Sequence, residues 1–330
     1  MSDVARVAGV SHQTVSRVLH ESPSVRPETR ARVEAAMKAL DYRPNSVARA
    51  LVTGRTRTLG VISFDTTLHG PASTLLGIER AAHDADYFII IVSLRSFTRA
   101  SVLGALERLR DRGVDGIVVI APQDTAVEAL RDLPERPPVV VAEAGPESIS
   151  VAEVDQFEGA ARATRHLLEL GHRTVWHIAG PPDWREARRR VAGWEAVLRA
   201  AGAEVPPMLT GDWSARSGYA LGSRLVDTPA VTAVFVANDH MALGLLRVLH
   251  ERGRRIPHEI SVVGFDDIPE AAYFTPPLTT IRQDFDEIGR KSLDLLLQEI
   301  EHGAPLAARV TVEPELIVRE STASAATGGD

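Results

Sequence analysis

Two groups of residues in this chain have the types and spacing that recognition chemistry needs. The first is the run Ser11-His12-Gln13-Thr14-Val15-Ser16-Arg17, which crowds hydroxyls, an imidazole, a carboxamide and a guanidinium into one short stretch. If Ser11 opens a helix, His12, Gln13 and Arg17 fall on its early, outward part, where a helix-turn-helix meets base edges. The second group lies where apolar runs end in polar residues: Asp65, Asn238 and Asp239, and Asp266 and Asp267. Trp184 and Trp213, with Arg190 and the carboxylates, supply what a sugar needs, an aromatic face for its ring and polar groups for its rim, although either indole, and Trp184 as readily as not, can instead be read as core packing.

The elements that must position the first group read as three short helices. A helix from about Asp3 to Ala8 is followed by a Gly9-Val10 turn and a second helix opened by Ser11, whose hydroxyl can accept from an unpaired N–H of the first turn. Val4, Ala8, Val15 and Val18 or Leu19 form the core-facing stripe. A third helix begins at Pro27, a good first residue because its missing N–H costs nothing there. It carries Val33, Ala36 or Met37, and Leu40 inward and stops at Asp41-Tyr42-Arg43-Pro44. By spacing alone, this segment reads equally as an Ala/Val-rich piece of core. Asn45 to Leu51, NSVARAL, is too short to be helical alone in water. It is either a linker turn or a helix that forms against a partner chain or on DNA.

The second group depends on strands alternating with helices from Thr58 onward. The expected strands are 59–64, 87–93, 115–120 and 138–143, then 174–180, 233–239 and 260–267. Helices of the second set are expected near 157–170, 185–201, 214–226 and 239–252. Nearly continuous apolar strands between helices imply parallel sheets covered on both faces, here as two doubly wound lobes. Ligands of such sheets bind beyond the carboxyl ends of the strands. Trp194, inside a helical run, is expected in the core.

Composition narrows the function. The net charge of −7 divides unevenly: residues 1–57 hold ten Arg or Lys against five Asp or Glu, and the rest holds 27 against 39. A basic module on an acidic body suits nucleic acid at one end only. With no cysteine there is neither a disulfide nor a thiolate metal site. The eleven histidines form no metal-binding pattern, and no P-loop, G-x-S-x-G elbow or dinucleotide fingerprint follows a strand. No apolar run reaches the roughly 18 residues that span a bilayer. The expectation is a cytoplasmic, non-enzymatic protein without metal, cofactor or membrane partner.

Over its whole length the chain resembles the lac repressor (LacI/GalR) family of bacterial transcription regulators. The resemblance rests on DVARVAGVSHQTVSRVL, YRPNSVARAL, LGVI, VANDHMALG and SVVGFDD; GDWSARSG and PPLTTIRQDF are similar to its sugar-sensing subgroup. It implies an all-α helix-turn-helix headpiece over 1–44, a hinge helix and linker over 45–57, and a periplasmic-binding-protein-like α/β body over 58–330. Within the body, one lobe would take about 58–150 and 279–303 and the other about 151–278 and 304–320, with 321–330 a disordered tail.

By the same resemblance, His12, Gln13 and Arg17 read bases, Arg being suited to guanine and Gln to adenine. Ser11, Thr14, Ser16, Thr29 and Tyr42 hold phosphates, which orients without specifying. Asn45, Ala48 and Leu51 belong to the hinge, with Leu51 as a minor-groove wedge. Arg190, Trp213, Asn238, Asp266, Gln283 and Phe285 match effector-binding positions, and Phe64, Leu68, Glu158 and Glu186 match pocket-lining ones. Phe64 and Glu186 stand where the subgroup carries small hydroxyl residues, which leaves open which sugar or glycoside binds; Phe64 would add a stacking face and Glu186 a hydroxyl acceptor. Only Met1 and Ser2 precede the DVA run, and Arg26 replaces a helix-capping Ser. The tail STASAATGGD has no leucine heptads, so a homodimer is expected.

The implied activity is repression at a pseudo-palindromic operator, relieved by a sugar or glycoside. A corepressor-type regulator, and further off a sugar-binding transport protein, are the competing readings.

Overall fold

The computed structural model describes all residues except 20–21, 43–49, 51–53, 65, 97, 122, 131–136, 144, 229 and 326–330. The hinge residues Asn45, Ala48 and Leu51, and the strand-end Asp65, therefore lie outside the described residues. The chain forms two units, Met1–Arg57 and Thr58–Asp330.

The first unit holds α1 (Ser2–Ala8), α2 (His12–Leu19) and α3 (Pro27–Ala39). Gly9 ends α1 at φ 65°, a left-handed conformation that glycine takes without steric cost. The Ser11 Oγ accepts from the Thr14 N–H at 3.2 Å, as its type predicts. Val4, Ala8, Val15, Val18, Val33 and Ala36 make the core, with Leu19, Met37 and Tyr42 packed around it. Leu40 departs from its expected inward place and is 41% exposed, because α3 ends one residue earlier. Arg26 stands before α3 without a side-chain capping bond.

The second unit contains two parallel sheets. One has six strands: β1 (Thr58–Phe64), β2 (Phe88–Leu94), β3 (Gly116–Ile120), β4 (Val139–Ala142), β5 (Ser150–Val154) and β11 (Arg309–Val312), in the order β11-β5-β4-β3-β1-β2. The other has four: β6 (Trp176–Ala179), β7 (Leu209–Thr210), β8 (Ala233–Val236) and β9 (Ser261–Val263), in the order β7-β6-β8-β9. β10 (Thr280–Arg282) and β12 (Glu315–Ile317) pair antiparallel beside the second sheet. β3, β4 and β8 are buried along their whole length, which is why their residues are continuously apolar.

Helices cover both sheets. α4 (His69–Asp84), α5 (Arg99–Asp111), α6 (Asp124–Ala129) and α11 (Phe285–His302) belong to the first lobe. α7 (Gln156–Glu169), α8 (Arg185–Ala200), α9 (Ala215–Val226) and α10 (Asp239–Glu251) belong to the second. Trp194 is buried as expected, its Nε1 donating to the Val175 carbonyl at 2.8 Å.

The lobe boundaries require four corrections. Residues 151–154 lie in β5, an inner strand of the first sheet, whereas the second lobe was expected to begin at about 151. Residues 309–312 form an edge strand of the first sheet, whereas 304–320 was expected in the second lobe. Thr279–Arg282 joins the second lobe through bridges from Thr279 to Val263 and from Arg282 to Asp266. Residues 321–325 are no loose tail: the Val262 N–H donates to the Ser321 carbonyl and the Ala325 N–H to the Leu170 carbonyl, each at 2.8 Å. These pieces are short and polar, so pairing with distant strands, invisible in a local pattern, decides where they go.

Candidate functional site

A cavity of about 300 Å³ opens between the two lobes, past the carboxyl ends of their strands. Second-lobe strands deliver Trp184, Glu186 and Arg190 (after β6), Trp213 (after β7), Asn238 and His240 (after β8) and Asp266 (after β9). The first lobe delivers Leu68 and His69 at the start of α4, Glu143 after β4, and Phe285 at the start of α11; Gln283 comes from the crossover after β10.

Arg190 is the electrostatic centre. It is 2% exposed, its Nε donates to Gln156 Oε1 at 2.8 Å and its Nη1 to the Ala237 carbonyl. The remaining Nη2 lies 3.8 Å from Asp266 Oδ1 and 3.9 Å from Glu186 Oε2. Its guanidinium sits 3.8 Å from the Phe265 ring centre and 5.6 Å from that of Trp213, so aromatic faces help hold the charge. Gln283 donates to Asp266 Oδ1 at 2.7 Å, and Gln156 donates to Gln283 at 2.7 Å, completing a buried chain of polar groups.

Asn238 caps α10, accepting from the Met241 N–H at 2.9 Å, and donates to the Trp213 carbonyl at 3.1 Å. That second bond ties the Trp213 backbone, which holds φ 72°. Glu143 at φ 87° and Asp266 at φ 110° share this strained region, so three cavity residues are aimed by backbones that their side chains disfavour. Trp184 and Trp213 meet edge to face at 5.5 Å, and the Trp213 Nε1 is buried without a hydrogen-bond partner. The second Glu143 oxygen is likewise buried and unpartnered, while Thr74 donates to the first at 3.0 Å.

Burial pushes the Glu143 carboxyl well above the ordinary carboxylate range, and the neighbouring Glu186 adds to the effect. Burial also raises Glu186 and Asp266, with Arg190 pulling each back toward the charged form. Among the described residues no group of three or more His, Asp or Glu is placed to hold a metal ion.

Eight of the ten effector positions carried over from the sequence thus line one cavity: Leu68, Glu186, Arg190, Trp213, Asn238, Asp266, Gln283 and Phe285. Phe64 and Glu158 do not. Phe64 packs partly buried against the apolar core of the first lobe. Glu158, in the first turn of α7, points to Arg162 at 2.8 Å and Arg165 at 3.8 Å, where the helix surface offers it two cations. Glu143, His69 and His240 were missed. Glu143 directly follows an all-apolar strand, the same signal that singled out Asp266. Trp184, left open between core and ligand, lies in the cavity wall.

On the first unit, Ser11, His12, Gln13 and Arg17 are exposed along α2, and Thr14, Ser16, Thr29 and Tyr42 are half-buried. Arg30 donates to the carbonyls of Val18 at 3.4 Å and Ser22 at 3.0 Å, fixing the exit of α2, a role sequence reasoning did not foresee.

The comparisons agree with this architecture. Residues 1–45 match the family described as bacterial regulatory proteins, lacI family, and residues 164–322 match a periplasmic binding protein-like domain. The chain is similar to the HTH-type transcriptional repressor PurR of Haemophilus influenzae, 34% identical over 98% of each chain. It is also 34% identical to the lactose operon repressor of Escherichia coli, over 97% of this chain and 89% of the relative. Its structure resembles the lac repressor dimer bound to operator and the anti-inducer ONPF, with a TM-score of 0.82, 33% identity and coverage of 97% and 98%. It resembles the cellobiose complex of the transcriptional regulator CelR at a TM-score of 0.73, with 33% identity and the same coverage. A basic three-helix unit that exposes a polar helix face, joined to a two-lobed body with a polar, tryptophan-walled cleft, places this chain in the lacI family of bacterial regulatory proteins, as a DNA-binding transcriptional regulator.

Proposed function

We propose that this regulator represses carbohydrate-utilisation genes and leaves its operator when a sugar or glycoside enters the cleft. The observation that carries the reading is the cavity itself. It sets the Trp184–Trp213 pair beside Arg190, Asp266, Gln283 and Asn238, apolar walls for a sugar ring and hydrogen-bonding groups for its hydroxyls. Relatives named for lactose and ribose operons, and a similar structure holding cellobiose, support the same ligand class. The protein acts on its effector by binding alone and works in the cytoplasm.

In this reading His12, Gln13 and Arg17 contact bases, and Ser11, Thr14, Ser16, Thr29 and Tyr42 contact phosphates. Asn45, Ala48 and Leu51 form the hinge that kinks the central minor groove. Two copies are needed to read a palindrome. Exposed apolar residues supply a surface for pairing: Phe88 and Ile91 on β2, an edge strand, Leu76 on α4, and Tyr219 and Leu243 on the second lobe. Closure of the lobes on the ligand biases the hinge, and the hinge controls the pair of headpieces. Operator affinity, measured by fluorescence anisotropy across a sugar panel, should fall with at least one sugar. Affinity that rises makes the protein a corepressor-type regulator, and affinity unmoved by every sugar defeats the proposal.

A further inference from the structure

The cleft contains more acid than a neutral sugar calls for. Among the described residues three carboxyls line it, Glu143, Glu186 and Asp266, and one guanidinium, that of Arg190, faces them. Arg190 has already committed its Nε and Nη1 to Gln156 and Ala237, leaving Nη2 between Asp266 and Glu186. Asp266 is further served by Gln283, and His69 and His240 lie near enough to favour its charged form. Glu143 has only the Thr74 hydroxyl, and its second oxygen is buried without a partner.

Glu143 comes from the end of β4 in the first lobe and Glu186 from the first turn of α8 in the second, and both carboxyls line the cleft, close enough for each to disturb the other's ionisation. Two carboxyls brought together in a buried site favour holding one proton between them. The pair thus bridges the lobes, and together with Asp266 it carries more negative charge than the Arg190 guanidinium balances. On its far side lies a hollow whose walls include Arg185, Arg189 and Arg309 along with Glu147, Glu153 and Asp155. There Arg189 pairs with Asp155 at 3.6 Å and Arg309 with Glu153 at 3.4 Å, so two of these cations are already engaged.

We propose that the effector bears a basic amino group, as an amino sugar does, and that its ammonium sits between Glu143 and Glu186, replacing the shared proton. The ammonium enters charged, both carboxyls become ionised, and one proton leaves to solvent. An ammonium donates three hydrogen bonds, enough for the unpartnered Glu143 oxygen and for Glu186 at once. Because one carboxyl belongs to each lobe, the same group would draw the cleft shut. This inference rests on the sugar reading above and names the kind of sugar.

The test is isothermal titration of the full-length protein with matched probes at pH 7, in two buffers of different ionisation enthalpy. The probes are glucosamine and glucose, galactosamine and galactose, and mannosamine and mannose. The amino member of at least one pair should bind about tenfold tighter or more than its neutral partner, as charged hydrogen bonds warrant, with net release of a proton. Glu186→Gln and Glu143→Gln should each shrink that preference to within about threefold and abolish the proton release. If in every pair that binds the neutral member binds wild-type protein as tightly as its amino partner, this inference is overturned and the sugar reading stands. A preference that survives both variants also overturns it. If no sugar binds at all, the sugar reading falls and this inference with it.

Discussion

The helix α2 and the interlobe cleft both present polar side chains to a ligand, but they hold them in opposite ways. On α2, His12, Gln13 and Arg17 stand in solvent, and the fold beneath them rests on Val4, Val15, Val18 and Val33. In the cleft, Arg190, Asp266, Gln283 and Gln156 are buried and satisfy one another before any ligand arrives. Exposed polar groups can change without cost to the fold, so a reading surface is free to diverge. Buried ones are part of the fold, so each cleft residue answers for stability as well as binding.

Arg190→Ala is the sharpest way to test that contrast. It strands Asp266 and Glu186 without their cation, and should cost the body about 3 to 5 kcal/mol in urea unfolding as well as its effector response. Melting at the wild-type temperature would erase the distinction between the two regions. Next comes pH. His177, stacked on Phe235 at 4.6 Å, has its pKa lowered to about 4, first by burial, and stays neutral in the fold. Below about pH 6.5 the unfolded chain binds a proton that the fold refuses, so the stability present above that pH is lost as pH falls toward 4. The loss should reach about 2 kcal/mol by pH 5 and be smaller in His177→Phe.

A smaller effect tests the cleft wall. A Cβ on Gly180 would lie 2.1 Å from the Trp213 ring. Gly180→Ala should therefore displace the indole, cost about 1 to 3 kcal/mol and blunt the effector response, readable as a change in tryptophan fluorescence. The smallest effect on folding belongs to Arg17→Ala. It should leave the unfolding free energy within about 0.5 kcal/mol of wild type while relaxing preference at one operator base pair by about 1 to 3 kcal/mol. Equal losses on operator and random DNA would show that Arg17 reads no base.

The headpiece was legible because its signals are local. Ser11 caps the helix that its type announces, Gly9 turns where a left-handed residue is needed, and Pro27 starts α3. Much of the cleft was legible too, through strands that are apolar and end in polar residues, as at Asn238 and Asp266. Glu158 misled because its place in sequence is one thing and the direction of its side chain another; Arg162, one turn along, claims it. Phe64 misled because a large apolar side chain at a strand end is drawn into the nearest core.

By itself the sequence determined the division into a basic helical unit and an acidic α/β body, the strands that run continuously apolar, and the residue types that recognise DNA and a polar ligand. Periodicity, capping and charge act over a few residues, so they survive in the linear order. Only the tertiary structure decided that β11 completes the first sheet, that residues 321–325 tie to the second, and that Glu143 of one lobe and Glu186 of the other line the same cleft. Those outcomes depend on pairings between segments separated by tens to more than a hundred residues. The balance of carboxyls against one arginine in the cleft exists only once they are made.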